Sequence, residues 1–233
     1  MLNVSLIIPT YNEAKNIPFL IEEIFASVNK SKINLEFIIV DDNSPDGTGK
    51  IAEDLSDKYP IRVIHRAGKL GLGTAVIEGF KLSDREYVGV MDGDTSHDPS
   101  ILNRMIVSLT DNDIVMGSRF KEGSKVEKWG LHRRMISGAG VFMAKILAGV
   151  DDPLSGYFFM KKEVVEGINL KTKGYKILLE ILVKGNYDKV EEFPYTFRMR
   201  KHSMSKLNTK EFMLFLGQVI SYSFYKAVRF FKK

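Results

Sequence analysis

Through its first hundred residues the chain alternates continuously apolar runs with stretches of helical periodicity. "VSLIIPT", "LEFIIVDD", "IRVIHR" and "YVGVMDGD" read as strands with little polar alternation. Between the first two, Ile17, Leu20, Ile21, Ile24, Phe25 and Val28 recur at helical spacing, and further helices are expected from about Gly47 to Lys58 and from Leu72 to Leu82. Apolar strands separated by amphipathic helices predict an α/β fold: an open twisted sheet, mostly parallel, with helices on both faces. Right-handed crossovers would place every strand's C-terminal end on one edge.

That edge is where open α/β sheets bind ligands. The segments expected there are "PTYNE", "DDNSPDGT", "RAGKLGLGTA" and "DGDTSHDP". One acidic turn is ordinary turn chemistry, whereas four polar, glycine-rich turns on one rim predict a binding site. Asp92 and Asp94, one residue apart past a strand, suit a hard divalent cation, Mg²⁺ or Mn²⁺, which takes carboxylate oxygens together with waters and phosphates. Asp42 ends a strand and can accept hydrogen bonds from a nucleobase. Gly68, Gly71 and Gly73 permit close backbone approach. "GKLGLGTA" lacks the P-loop pattern, and no G-x-G-x-x-G follows the first strand, which argues against dinucleotide binding.

The second half is less regular. "DIVMGSRF" and "GYFFMKK" read as strands, "HRRMISGAGVFMAKILAG" and "YKILLEILVKG" as helices, and "KVEEFPYTFRMR" as a strand broken at Pro194. Cysteine is absent, which excludes disulfides, thiolate metal sites and a cysteine nucleophile and fits a reducing compartment. The N-terminus lacks the pattern of a secretory signal. A net charge of +5, with the basic excess in the last third, suggests anionic partners. The C-terminal "TKEFMLFLGQVISYSFYKAVRFFKK" has an uncharged run of only 14 residues, Phe212 to Tyr225, against the roughly 20 needed to span a bilayer. Its narrow polar stripe (Gln218, Ser221, Arg229, Lys232) and basic end predict a helix lying in a membrane interface, the alternative being a helix docked on the domain.

"VSLIIPTYNE", "IIVDDNSPDGT", "GLGTAVIEGF", "MDGDTSHDP", "GSRF", "DPLSGYFFMKKEVV" and "FRMRKHSMSKL" stand in the order and spacing of family 2 glycosyltransferases. Within that family the chain resembles the dolichol-phosphate mannose synthases, from Val4 to about Leu207. The resemblance implies a GT-A-type catalytic domain over residues 1–207, with 208–233 forming the amphipathic interface helix. It implies transfer of mannose from GDP-mannose to dolichyl or another polyprenyl phosphate, with inversion, at the cytoplasmic face of a membrane. The implied partners are those two substrates and the membrane surface, with no nucleic acid. Pro9, Tyr11, Glu13, Val40 and Asp42 would line the guanosine pocket. Asp92 and Asp94 would hold Mg²⁺ or Mn²⁺ on the diphosphate, with Gly93 close against the nucleotide. Arg119, Arg133, Ser137, Arg200 and Lys206 would hold donor and acceptor phosphates; catalysis would fall to Asp94, Arg119 and Arg200. Two positions depart from the family: Ser96 stands where Gln is usual, as a shorter candidate metal ligand, and Ser203 where Gly is usual.

The chemistry is consistent with a phosphate acceptor. A phosphomonoester is largely dianionic near neutrality, its second pKa being about 6, so it needs no general base. What remains is to hold two anions together while a diphosphate leaves, which a metal and guanidinium groups accomplish electrostatically. Two other functions fit the same rim: a polyprenyl-phosphate glucosyltransferase using UDP-glucose, and a non-catalytic sugar-nucleotide-binding module. His65 and His97 read as structural, with His97 and Asp98 capping the next helix. Trp129 reads as an interface anchor or as packing. Glu180, amid apolar residues, either pairs with a cation or faces solvent.

Overall fold

A computed structural model describes residues 1–127, 141–171, 176–199, 215 and 217–226. Strands β1 (Leu2–Thr10), β2 (Ile33–Asp41), β3 (Ile61–His65) and β4 (Tyr87–Met91) alternate with helices α1 (Ile17–Ser27), α2 (Thr48–Leu55) and α3 (Leu72–Leu82). Then follow α4 (Leu102–Ser108), β5 (Ile114–Ser118), β6 (Lys125–Val126), β7 (Tyr157–Lys161), α5 (Ile177–Lys184), β8 (Val190–Pro194) and β9 (Thr196–Phe197). Seven strands form one sheet in the order β3-β2-β1-β4-β7-β5-β8, and β6 pairs with β9 beside it. The expected mostly parallel sheet is what forms. Pro194 ends β8 and pairing resumes at Thr196, as its missing donor requires.

Two-residue periodicity splits the core into two layers. Leu6 and Ile8, Phe37 and Ile39, and Tyr157 and Phe159 point to one face, where Leu20, Ile24, Ala52 and Met105 of the helices cover them. Ile7, Ile38, Val40, Val88, Val90, Phe158 and Met160 point to the other, under Ala75, Val76 and Phe80 of α3 and Ile177 and Ile181 of α5. Fully buried strands have no polar face, which is why the sequence shows none. Gly89 of β4 is set by packing: a Cβ there would lie 2.1 Å from the Phe159 ring.

β7 alone runs antiparallel within the large sheet, between β4 and β5. Its first residue, Tyr157, pairs with Met91 at the end of β4, so the turn 151–156 arrives on the edge where the parallel strands finish. The sequence pattern does not carry this reversal, because an apolar strand reads alike in either direction.

A third cluster lies outside α5. Val141, Ala144 and Leu147 of the helical stretch 141–148 pack with Leu179, Val183, Phe215, Val219 and Tyr222. Helical residues 217–226 are thus docked through one face, and Phe142, Ile146, Ile220 and Phe224 remain exposed. Among the described residues no helix is long and apolar enough to cross a membrane. Trp129 lies outside the described residues.

Glu180 is buried and paired with Lys184, and it also accepts the Lys171 N–H. Of the two alternatives read from sequence, the cation partner holds. Asp113 closes the far end of the sheet by accepting from Lys161 Nζ at 2.8 Å and from the N–H groups of Asp188 and Lys189. Partial burial opposes its ionisation, but Lys161 and the two N–H donors prevail and hold its pKa at about 2. A depressed carboxylate contributes stability that is present above its unfolded pKa and lost as pH falls through the folded one. Asp113→Asn is therefore expected to lower stability to urea by about 1 kcal/mol at pH 7, after allowing for solvent screening. The difference should narrow from about pH 4 toward pH 2.

Candidate active site

The strand order places β1 beside β4 where the sheet's connectivity reverses direction, and such a switch point opens a crevice at the strand C-terminal ends. Three non-glycine residues adopt left-handed backbone there: Asn12 (φ 60°) past β1, Asn43 (φ 55°) past β2 and Thr95 (φ 62°) past β4. Asn tolerates this conformation; β-branched Thr does so only when its surroundings force it, and such strain gathers at functional sites.

Hydrogen bonds tie the rim loops together. The N–H groups of Asn12, Glu13 and Ala14 donate to Ser44, Thr48 and Asp46, joining the first loop to the second. Burial opposes ionisation of Asp46, but the Thr48 hydroxyl and the Ala14 and Thr48 N–H groups hold its pKa below the usual range. Asp41 accepts from Thr10 and Ser44, and Lys69 of the third loop lies 4.0 Å above the Tyr11 ring. Asn16 Nδ2 donates to the buried Glu13 carboxylate at 2.6 Å. A Cβ on Gly93 would sit at ordinary contact distance, 3.4–3.6 Å, from Thr10, Ile8 and Glu13, which places the D-G-D turn against the first loop.

Within that turn, the Asp94 carboxylate is buried and accepts the Ser96 N–H at 3.0 Å and the Ser96 hydroxyl. Ser96, wholly buried, thus acts here as a donor that orients Asp94, a role the spacing alone did not suggest. The Asp92 side chain is 28% exposed. Behind it stands His97, buried among Tyr157, Tyr195 and Phe197, with Nε2 3.4 Å from Asp92 and Nδ1 2.9 Å from the Tyr195 hydroxyl. Asp98 caps the following turn through the Ser100 N–H as expected, but His97 reaches Asp92 instead of capping.

Arg119 follows β5, and its Nε and Nη2 donate to the two oxygens of the fully buried Asp152, each at 2.7 Å. Burial opposes both charges, yet the pairing prevails: the Arg119 pKa is raised and that of Asp152 lowered. Asp92 adds a smaller contribution in the same direction for Arg119. The Asp151 and Asp152 N–H groups donate to Glu192 of β8. Sequence reading missed Asp152, Glu192 and Arg66; "DPLSGYFFMKK" was the available signal for the first.

Of the expected guanosine-pocket residues, Pro9, Tyr11, Glu13 and Asp42 come together at the rim ends of β1 and β2. Val40 lies in register with Pro9 on the sheet face under α3, and its side chain is wholly buried there, so its backbone is what a ligand can reach. Arg133, Ser137, Arg200 and Lys206 lie outside the described residues.

Among the described residues, no group of three or more His, Asp or Glu side chains could hold a metal. Asp92 and Asp94 fit a hard cation that draws its other oxygens from a diphosphate and water.

An open α/β sheet with acidic residues gathered at its switch point belongs to the class of folds that bind ligands at the strand C-terminal ends. Residues 5–169 match the model for Glycosyl transferase family 2, and the chain belongs to that family. It is 42% identical over 225 residues to a dolichol-phosphate mannosyltransferase of Pyrococcus furiosus, covering 94% of this chain but only 63% of that protein. It is 34% identical over 226 residues to the dolichol-phosphate mannosyltransferase of Saccharomyces cerevisiae, covering 92% of this chain and 85% of that one. Among solved structures, glucosyl-3-phosphoglycerate synthase from Mycobacterium tuberculosis, in complex with Mn²⁺, UDP and phosphoglyceric acid, superposes with a TM-score of 0.68. The match is 18% identical and covers 97% of this chain and 78% of that one. The fold is the GT-A-type sheet expected.

Gly156 bears directly on Asp92, since a Cβ there would lie 2.7–2.9 Å from three atoms of its carboxyl group. Gly156→Ala should displace that carboxylate while leaving thermal stability nearly unchanged. Calorimetry of nucleoside diphosphates with Mn²⁺ is expected to show, for whichever nucleotide the wild type binds, an affinity weakened about tenfold, or about 1.4 kcal/mol. Unchanged affinity would mean that Asp92 does not contact the ligand.

Proposed function

We propose that the protein transfers mannose from GDP-mannose to dolichyl or another polyprenyl phosphate, with inversion. The observation carrying this reading is the anchored charge gathered at the strand C-terminal ends: Asp94 is held by the Ser96 N–H and hydroxyl, and Arg119 by both oxygens of Asp152. The names of the 42% and 34% identical relatives point the same way.

Pro9, Tyr11, Glu13, the Val40 backbone and Asp42 would cradle guanosine, with Gly93 letting the D-G-D turn lie close against the nucleotide. Asp92 and Asp94 would hold Mg²⁺ or Mn²⁺, with Ser96 and His97 orienting the two carboxylates. When bound, that cation stabilises negative charge on the departing diphosphate. Arg119, fixed by Asp152, would align an acceptor phosphate together with Arg133 and Ser137, and Arg200 and Lys206 would engage the donor. A phosphate oxygen attacks C1 of the sugar in line, the C1–O bond to GDP breaks with its electron pair leaving on GDP, and an α-linked donor yields a β-linked product. No proton moves, because the acceptor is already ionised.

The exposed Phe142, Ile146, Ile220 and Phe224 would lie against a bilayer that presents the lipid acceptor, making the protein peripheral to a membrane. We assign the catalytic domain to residues 1–207 and this contact to the segment from 208 onward, assisted by helical residues 141–148.

A donor screen against polyprenyl phosphate in liposomes with Mg²⁺ or Mn²⁺ tests the reading. Mannosyl lipid from GDP-mannose is the expected product, lost in Asp94→Ala, with Ile220→Asp and Phe224→Asp reducing liposome sedimentation. Preference for UDP-glucose would overturn the donor assignment. Transfer from neither donor, with nucleotide binding intact, would indicate a binding module.

A further inference from the structure

Arg66, the residue after β3, is a buried guanidinium that the proposed reaction does not use. Its Nη1 donates to Asp42 Oδ1 and, at 3.3 Å, to the Gly71 carbonyl. Nη2 donates to the Thr74 hydroxyl at 2.7 Å, Nε lies 3.0 Å from Glu78, and its own N–H donates to the Asp41 carbonyl at 2.9 Å. The other Asp42 oxygen, Oδ2, accepts the Gly71 N–H at 2.8 Å. Gly71 stands at φ 102°, ψ 151°, a backbone that side chains avoid, at the start of α3. The glycine-rich segment therefore grips Asp42, and Arg66 is the hub of the grip.

This arrangement fixes the plane of one carboxylate and leaves one acceptor position on each of its oxygens. Guanine presents two adjacent donors, N1–H and the 2-amino group, which match two oxygens of a carboxylate held in plane. Hypoxanthine offers only N1–H, and uracil offers one N–H between two carbonyls that repel the carboxylate. A carboxylate free to rotate would match all three poorly.

We infer that Arg66 is a positioning residue for base selection, holding Asp42 so that it discriminates guanine from bases lacking paired donors. This rests on the reading of Asp42 as the base-binding carboxylate. Lysine cannot replace it: a single ammonium does not reach Asp42, the Gly71 carbonyl and the Thr74 hydroxyl, which the planar guanidinium bonds at once.

The experiment measures Kd for GDP, inosine diphosphate and UDP by calorimetry with Mn²⁺, for wild type, Arg66→Gln, Arg66→Lys and Asp42→Asn, each checked for an unchanged melting transition. Arg66→Lys, which keeps the charge, serves if Arg66→Gln does not fold. The expected result is that both Arg66 variants lose about tenfold in GDP affinity and little for the other two, collapsing the GDP preference. A uniform loss for all three nucleotides, or none, would overturn the inference in favour of a structural role. If Asp42→Asn collapses the preference and the Arg66 variants keep it, only the role of Arg66 fails. If Asp42→Asn keeps it, the base-binding role of Asp42 fails as well.

Discussion

The rim depends on one inserted strand. β7 runs against its neighbours between β4 and β5, and that reversal delivers residues 151–156 to the edge where the parallel strands end. Two consequences follow within six residues: Asp152 meets Arg119 as a bidentate pair, and Gly156 packs against the Asp92 carboxylate. Were β7 parallel, its preceding turn would lie on the opposite edge and neither contact could form. A buried ion pair of this kind adds little net stability, because desolvating two charges offsets their attraction. Its effect is positional: it fixes the Arg119 guanidinium on the same edge at which Gly156 packs against the Asp92 carboxylate.

The remaining rim is built by the same logic of fixing charges before a ligand arrives. Asp41, Asp42, Asp46 and Asp94 each accept backbone or side-chain donors from another position in the rim segments. Left-handed Asn12, Asn43 and Thr95 are the backbone expense of bringing those segments so close. Preorganised charge of this sort is what an electrostatically driven transfer requires, since no reorganisation is then needed as the leaving group gains charge.

Much of this was legible in the sequence. Apolar runs without polar alternation, such as "LEFIIVDD", announce a sheet covered on both faces, and the four polar turns that follow the strands announce the rim. The pair Asp92 and Asp94 was visible because two carboxylates one residue apart past a strand are distinctive chemistry. What stayed hidden depends on direction and distance. The sense of β7 is not encoded in "YFFMK"; the partnership of Arg119 with Asp152 spans 33 residues; and the hold of Arg66 on Asp42 spans 24. Val40 was expected in the pocket; its side chain is wholly buried against the helices over its sheet face, a packing distance that the residue's place past "LEFII" does not reveal. Ser96 read as a shorter ligand, whereas two residues is also the spacing at which a hydroxyl closes back onto the preceding carboxylate.

The central claim is that Asp92 and Asp94 hold a divalent cation only together with a nucleotide diphosphate. Electron paramagnetic resonance of Mn²⁺ titrated into the protein, with and without GDP, measures this directly. The account predicts weak Mn²⁺ binding alone, much tighter binding with GDP present, and loss of that enhancement in Asp92→Asn and Asp94→Asn. Mn²⁺ binding unaffected by GDP, or an enhancement that survives both substitutions, would contradict it.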